Sequence, residues 1–191
     1  FGHPKWGKIN ANYEVLNNYA YFKNVLPEKN EITEELIVIA AQFEGTINYL
    51  KIRLAQNLDF WKFSLINTIQ YQNVDQTDAV INVPKIVTRN TLYYTDYVFK
   101  NAMQIQTGFT FQYFSKYYAN DYNPLLGEFY VQNETKIGDF PLIDFFINAK
   151  VKQARLFLKA EHFNSAWTGY NFYSAPNYPY RDFLVRFGIV W

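Results

Sequence analysis

Apolar and polar residues alternate with a period of two along most of this chain. Across residues 48–56, Leu50, Ile52 and Leu54 fall on one side of an extended backbone; Tyr49, Lys51, Arg53 and Ala55 fall on the other. Residues 62–72 set Phe63, Leu65, Ile69 and Tyr71 against Lys62, Ser64, Thr68, Gln70 and Gln72. The cleanest run, residues 103–113, opposes Met103, Ile105, Phe109, Phe111 and Tyr113 to Gln104, Gln106, Gly108, Thr110 and Gln112. Ile143, Phe145, Ile147, Ala149 and Val151 alternate with Asp144, Phe146, Asn148 and Lys150; Leu156, Leu158 and Ala160 alternate with Arg155, Phe157, Lys159 and Glu161. The chain opens with Ile9, Ala11, Tyr13 and Val15 against Lys8, Asn10, Asn12 and Glu14. It closes with Phe183, Val185, Phe187, Ile189 and Trp191 against Leu184, Arg186, Gly188 and Val190. Successive strand side chains point to opposite faces, so each run predicts a strand with one apolar and one polar face. Residues 86–99 have strand composition, but Tyr falls on both sides and leaves their faces undefined. The count is about eight antiparallel strands.

The connections carry a second pattern. Tight ones stand around Asp59-Phe60, Lys100-Asn101-Ala102 and Lys152-Gln153-Ala154. They alternate with long ones at residues 23–45, 75–85, 119–140 and 164–181, which hold most of the prolines and turn formers. Bacterial membrane barrels have short periplasmic turns and longer external loops. Counted back from a periplasmic C-terminus, every long connection lies outside and every tight one inside. Within residues 119–140, Phe129-Tyr130-Val131-Gln132 reads either as a short hairpin or as a fold-back segment. Residues 23–45 carry Glu28, Glu31, Glu34 and Glu35, then an apolar stretch that extends the next strand. A helical turn over residues 31–39 is an alternative.

Composition changes the picture from sheet to membrane wall. Aromatics make up 20% of residues, with 17 Tyr and 18 Phe, yet mean hydropathy is only -0.25. Rings and polar groups are therefore interleaved, as in a barrel whose lipid-facing and lumen-facing positions alternate. Aromatics also gather near strand ends, at Tyr19, Tyr21, Phe22, Phe60, Trp61, Tyr97, Phe99, Tyr117 and Tyr118, as expected of headgroup-level girdles. A soluble β-sandwich also alternates, but its solvent face carries more charge than these amide- and hydroxyl-rich faces. No apolar window reaches the roughly 20 residues of a membrane helix. The fold class expected is all-β: an antiparallel transmembrane β-barrel over residues 1–191.

At the last strand a likeness appears. Arg186-Phe187-Gly188-Ile189-Val190-Trp191 resembles the C-terminal assembly signal of outer-membrane barrels, carried here by Arg186, Gly188 and Trp191. That pattern has one more aromatic two residues on, so further residues are expected beyond Trp191. Asn67-Thr68-Ile69-Gln70-Tyr71-Gln72, Arg89-Asn90-Thr91-Leu92-Tyr93-Tyr94, Gly127-Glu128-Phe129-Tyr130, Ala154-Arg155-Leu156-Phe157 and Glu161-His162-Phe163-Asn164 extend it. In order and spacing they resemble the C-terminal half of the putative porin family of Bacteroidetes. The resemblance implies an outer-membrane barrel larger than these strands, with N-terminal strands preceding Phe1.

Net charge is +1, which gives no field for nucleic acid, and the absence of Cys removes disulfides and thiolate chemistry. His3 and His162 are the only histidines and do not form a metal cluster or a supported hydrolase triad. No catalytic residue, metal or cofactor is expected. The lumen candidates are Lys51, Arg53, Lys62, Asp144, Lys150, Arg155, Lys159, Glu161 and Arg186. Their basic excess favours anionic solutes, because rings of Lys or Arg do so in pores; the competing reading is that they pair across strands and hold the wall.

Eight strands alone enclose a side-chain-filled interior, whereas an aqueous channel takes about sixteen. The expectation is therefore a larger, non-enzymatic porin-like channel for passive diffusion of small hydrophilic solutes in the bacterial outer membrane. Its partners are lipid, lipopolysaccharide, the outer-membrane assembly machinery and other outer-membrane proteins. The alternative is a non-conducting scaffold barrel in an assembly, secretion or nutrient-uptake complex.

Overall fold

A computed structural model describes residues 2–3 (backbone alone), 7–25, 37–169 and 171–191. Eight long strands follow one another: β1 (Gly7–Val25), β2 (Ile37–Phe60), β3 (Phe63–Asp75), β4 (Ile86–Val98), β5 (Met103–Phe114), β6 (Leu142–Val151), β7 (Ala154–Glu161) and β8 (Leu184–Val190). Each pairs antiparallel with the next in one uninterrupted meander, and Gly2–His3 folds back on the start of β1 as a ninth, two-residue strand. The outer edges of β1 and β8 are not paired with each other among the described residues.

Register decides the faces. Leu58, Leu65, Leu92, Phe109, Phe145 and Ala160 form one cross-strand row. Phe60, Phe63, Tyr94, Thr107, Ile147, Leu158 and Phe187 form the next row on the same side. β4, whose own pattern is ambiguous, is resolved by its neighbours: Ile86, Leu92 and Val98 share the apolar side, and Arg89, Thr91 and Thr95 the polar one. At residues 66–67 the alternation inverts. Ile66 joins the polar face, and Asn67 stands on the apolar face directly across from Asn90.

The apolar side is uncovered. Ile9, Ile52, Ile69, Leu92, Phe109, Leu158 and Ile189 are all exposed, and among the described residues the other sheets are two-stranded pairs within the connections. A sandwich would lay a second sheet over this surface. Aromatics mark its short-turn end: Phe60 is 79% exposed, Trp61 77% and Phe99 75%, and Phe63 contacts both Trp61 and Tyr94. At the opposite end Phe163 packs on Phe109, with Trp167 against it. Two aromatic belts thus flank the apolar band.

Tight turns join β2–β3, β4–β5 and β6–β7 as the alternation predicts. The long connection at residues 23–45 is shorter than expected, because β1 continues to Val25 and β2 begins at Ile37, paired as Val25 with Ile37. Residues 26–36, with Glu28, Glu31, Glu34, Glu35 and most of the suggested helical turn, lie outside the described residues; Ile37–Ile39 are strand. The register of β1 and β2 slips at Asn18, where Glu44 and Gly45 of β2 stand opposite one residue of β1. This bulge carries the Phe43 ring over Gly45, where a Cβ would lie 2.6 Å from Phe43 Cζ. The segment Phe129-Tyr130-Val131-Gln132 combines both of its suggested forms. Glu128–Tyr130 pairs with Asp121–Asn123 as a hairpin, and Val131 N–H then donates to Phe22 O of β1 at 2.8 Å.

Two glycines on the polar face have steric reasons. A Cβ on Gly108 would meet Leu92 O at 2.2 Å, which backbone cannot relieve without moving β4 from β5. Gly108→Ala is expected to cost about 1–2 kcal/mol by overpacking, read as a lower urea midpoint of the folded protein. Gly188 lies beneath the Phe157 ring, where a Cβ would come within 2.6 Å of Phe157 Cε1.

Candidate functional site

The polar face gathers eight of the nine charged candidates. Lys51 of β2 stands opposite Asn12 and Gln72, and Arg53 opposite Asn10 and Gln70. Asp144 faces Thr110, Lys150 faces both Gln104 and Arg155, and Lys159 faces Phe146 and Arg186. Glu161 stands opposite Leu184. Lys62 does not join them. It sits in the β2–β3 turn, and its Nζ reaches around to Asp96 Oδ2 on the apolar face at 2.6 Å, where Tyr94 OH also donates at 2.6 Å. The Asp96 hydrogen bond holds Lys62 above its ordinary pKa. Turn geometry overrides the period-two rule here, because a turn residue belongs to neither face.

The charges divide into two groups. At the long-loop end, Glu161 Oε1 accepts from Lys159 Nζ at 2.8 Å, while Arg181 Nη1 and Arg186 Nε approach Oε2 at 3.3 and 3.2 Å. Lys159 also meets Asp144 Oδ2 at 3.0 Å. Both carboxylates are buried. Asp144 Oδ1 accepts from His162 N–H at 2.9 Å, and the buried His162 ring places Nδ1 2.8 Å from Arg181 O and its edge against Phe172. Arg181 and His162 complete this cluster, and their loop positions had no periodicity to announce them. The second group, Lys51, Arg53, Lys150 and Arg155, forms no ion pair among the described residues; Lys51 Nζ instead lies 5.0 Å from the Tyr49 ring centroid.

The long connections fold inward over the polar face. Val80, from residues 76–85, is buried against Phe43 and Ile47, with Leu16, Tyr19 and Val74 around it. Gln72 anchors this loop by donating to Pro84 O at 2.9 Å and accepting a short hydrogen bond from Tyr49 OH. A second buried cluster joins Phe140 and Leu142 to Phe172, flanked by Phe114 and Tyr180. Tyr122 and Tyr178 bring the two long-loop hairpins into ring contact at 6.0 Å. The face is thus polar along its length and capped by apolar loop contacts at one end. The sequence signal for this is the apolar stretch Ala79-Val80-Ile81 with Val83 inside a connection.

Tyr130 belongs to that cap. Burial, then the hydrogen bond from its hydroxyl to Asp121 Oδ2 at 3.0 Å, push its pKa up to about 12. Its raised value means stabilisation fully present below the unfolded pKa of about 10, lost as pH rises through 12. Tyr130→Phe should flatten the alkaline loss of stability between about pH 10 and 12, followed by phenolate absorbance and urea midpoint together.

Against known families, the model described as "Putative porin" matches residues 1–191. The chain belongs to this porin family. No curated protein and no solved structure matches it. In this porin-family sheet the three residues whose pattern resembles a C-terminal signal each have a local setting. Arg186 pairs with Glu161, Gly188 receives the Phe157 ring, and Trp191, just past the strand, is 92% exposed.

Proposed function

We propose that the chain forms wall of an outer-membrane porin-like channel through which small hydrophilic solutes pass by passive diffusion, with a mild preference for anions. One observation carries this reading: a single antiparallel sheet whose apolar face has exposed residues on seven of its eight long strands and half-buried ones on β6, and whose opposite face is polar. In water such an apolar surface is far too large to stay uncovered. In a bilayer it is the lipid face, and the polar face then looks into a lumen. Free edges at β1 and β8 cannot persist in hydrocarbon, so further strands close the sheet into a barrel wider than eight. The short-turn end faces the periplasm and the loop end faces out, toward lipopolysaccharide. The exposed last strand is what the outer-membrane assembly machinery would read. The basic bias rests on Lys51, Arg53, Lys150 and Arg155, whose charges are not cancelled by described neighbours.

The loops folded over the external end of the polar face favour a second reading, a sealed scaffold barrel of a larger outer-membrane complex. Full-length protein reconstituted in planar bilayers separates the two. Stepwise conductance is the expected result; silence from heat-modifiable, folded barrel supports the scaffold and rejects the channel.

A further inference from the structure

The periplasmic end of β6 and β7 holds two cations where a wall would ordinarily hold a pair. Lys150 and Arg155 stand directly across from each other in the β6–β7 register. Like charges so placed repel and destabilise a sheet. Neither has a carboxylate partner among the described residues. The nearest acids on the same face, Asp144 and Glu161, lie six residues along each strand, about 20 Å at the strand rise. Both are already engaged by Lys159, with Arg181 and Arg186 also on Glu161. Between Lys150 and Arg155 the surface is concave. A cleft of about 570 Å³ is lined by both of them with Gln104, Gln106, Asn148 and Phe157. Asn148 Nδ2 donates to Gln106 Oε1 at 3.2 Å, which occupies the Gln106 acceptor and leaves its amide N–H groups unspent.

From this we infer that the cleft binds small oxyanions, phosphate- or carboxylate-bearing solutes, on their way through the lumen. Arg155 offers a planar fork suited to two oxygens, Lys150 a point charge, and the Gln106 amide a neutral donor. A bound oxyanion relieves the Lys150–Arg155 repulsion, so the site is unbalanced when empty and balanced when filled. The inference rests on the reading of this face as a lumen and gives it a ligand class. Because the cleft lies on the face away from lipid, the ligand is a dissolved solute rather than a headgroup.

Radiolabelled inorganic phosphate in equilibrium dialysis tests it, using folded full-length protein in lipid-free non-ionic detergent so that no headgroup competes. K150Q/R155Q should weaken phosphate binding at least about tenfold, whereas R89Q, a cation of the same face outside the cleft, should change it less than about twofold. The double variant relieves a repulsion, so it should fold and, without phosphate, be at least as heat-resistant as the parent. Added phosphate should stabilise the parent and not the variant. Equal phosphate binding by parent and K150Q/R155Q overturns the inference, as does no binding by either. A third arm adds phospholipid vesicles: competition by vesicles alone would move the site to headgroups and overturn a solute site. Dialysis does not depend on conductance, so a conducting channel that ignores phosphate defeats only this inference. A silent barrel that still binds phosphate at the cleft defeats only the channel.

Discussion

Leu92→Arg is expected to lower the stability of the protein folded in bilayers by about 2–4 kcal/mol. Leu92 lies in the middle of β4, in register with Leu65 and Phe109 and in the same row as Leu58 and Phe145. It is 48% exposed. On a water-facing surface a substitution at so open a position changes stability by about 0.5 kcal/mol or less. The large expected cost therefore comes from the identity of the solvent, not from lost packing. An arginine here must hold its guanidinium in hydrocarbon or bend it toward a headgroup, and Leu92 is four residues, about 13 Å of strand, from Asp96 at the aromatic belt. Gln70→Arg provides the contrast. Gln70 stands on the opposite face, across from Arg53 and Val87, and should cost about 1 kcal/mol or less. Urea unfolding of both variants in the same vesicles measures the difference. Equal small effects at the two positions would mean that the Leu92 face meets water, and the membrane reading would fail with it.

This asymmetry is legible in the sequence, because period two is a property of strand geometry and survives wherever the two faces meet different surroundings. Met103, Ile105, Phe109, Phe111 and Tyr113 of β5 all fall on the side their spacing predicts, as do Leu156 and Leu158 of β7. β4 was illegible alone because Tyr suits either environment; hydrogen-bonded neighbours had to settle it. Lys62 was misplaced because the alternation was carried one residue into a turn. Phe43 could not be assigned by counting, since a bulge at Glu44 and Gly45 changes the parity of β2 beyond it. Most of what caps the polar face was hidden for a different reason. Val80, Phe172 and Arg181 sit in connections, where side chains are placed by contacts far apart in sequence and no period exists to read. The charged candidates are legible one strand at a time, while their separation into an ion-paired cluster and a group of unpaired cations appears only once the strands are laid side by side.

Glu161→Ala is expected to cost about 3 kcal/mol, the low end for removing one partner of a buried ionic group, because Arg181 and Arg186 keep half of their side-chain surface in solvent. The carboxylate joins three elements at once: Lys159 on its own strand, Arg186 on β8 and Arg181 on the loop that returns to β8. Its removal leaves three cations converging on a space with Asp144 as the one remaining counter-charge among the described ion pairs. Lys159 can still turn wholly to Asp144, which also acts on Arg181, but Arg186 has no other ion pair among the described residues. The loop should loosen first, because Arg181 O is also the partner of the buried His162 ring, so a displaced Arg181 pulls away the cover over His162 and Phe172. Trypsin should therefore cut at Arg181 several times faster in the variant while the strands remain folded, as expected when local opening precedes global unfolding. Glu161→Gln keeps the volume and an acceptor oxygen but not the charge, and should fall about midway in urea midpoint. If the alanine variant matches the parent in both midpoint and cleavage rate, the cluster is an ornament of the long-loop end and the loop is held by its apolar contacts, Phe140 with Phe172, alone.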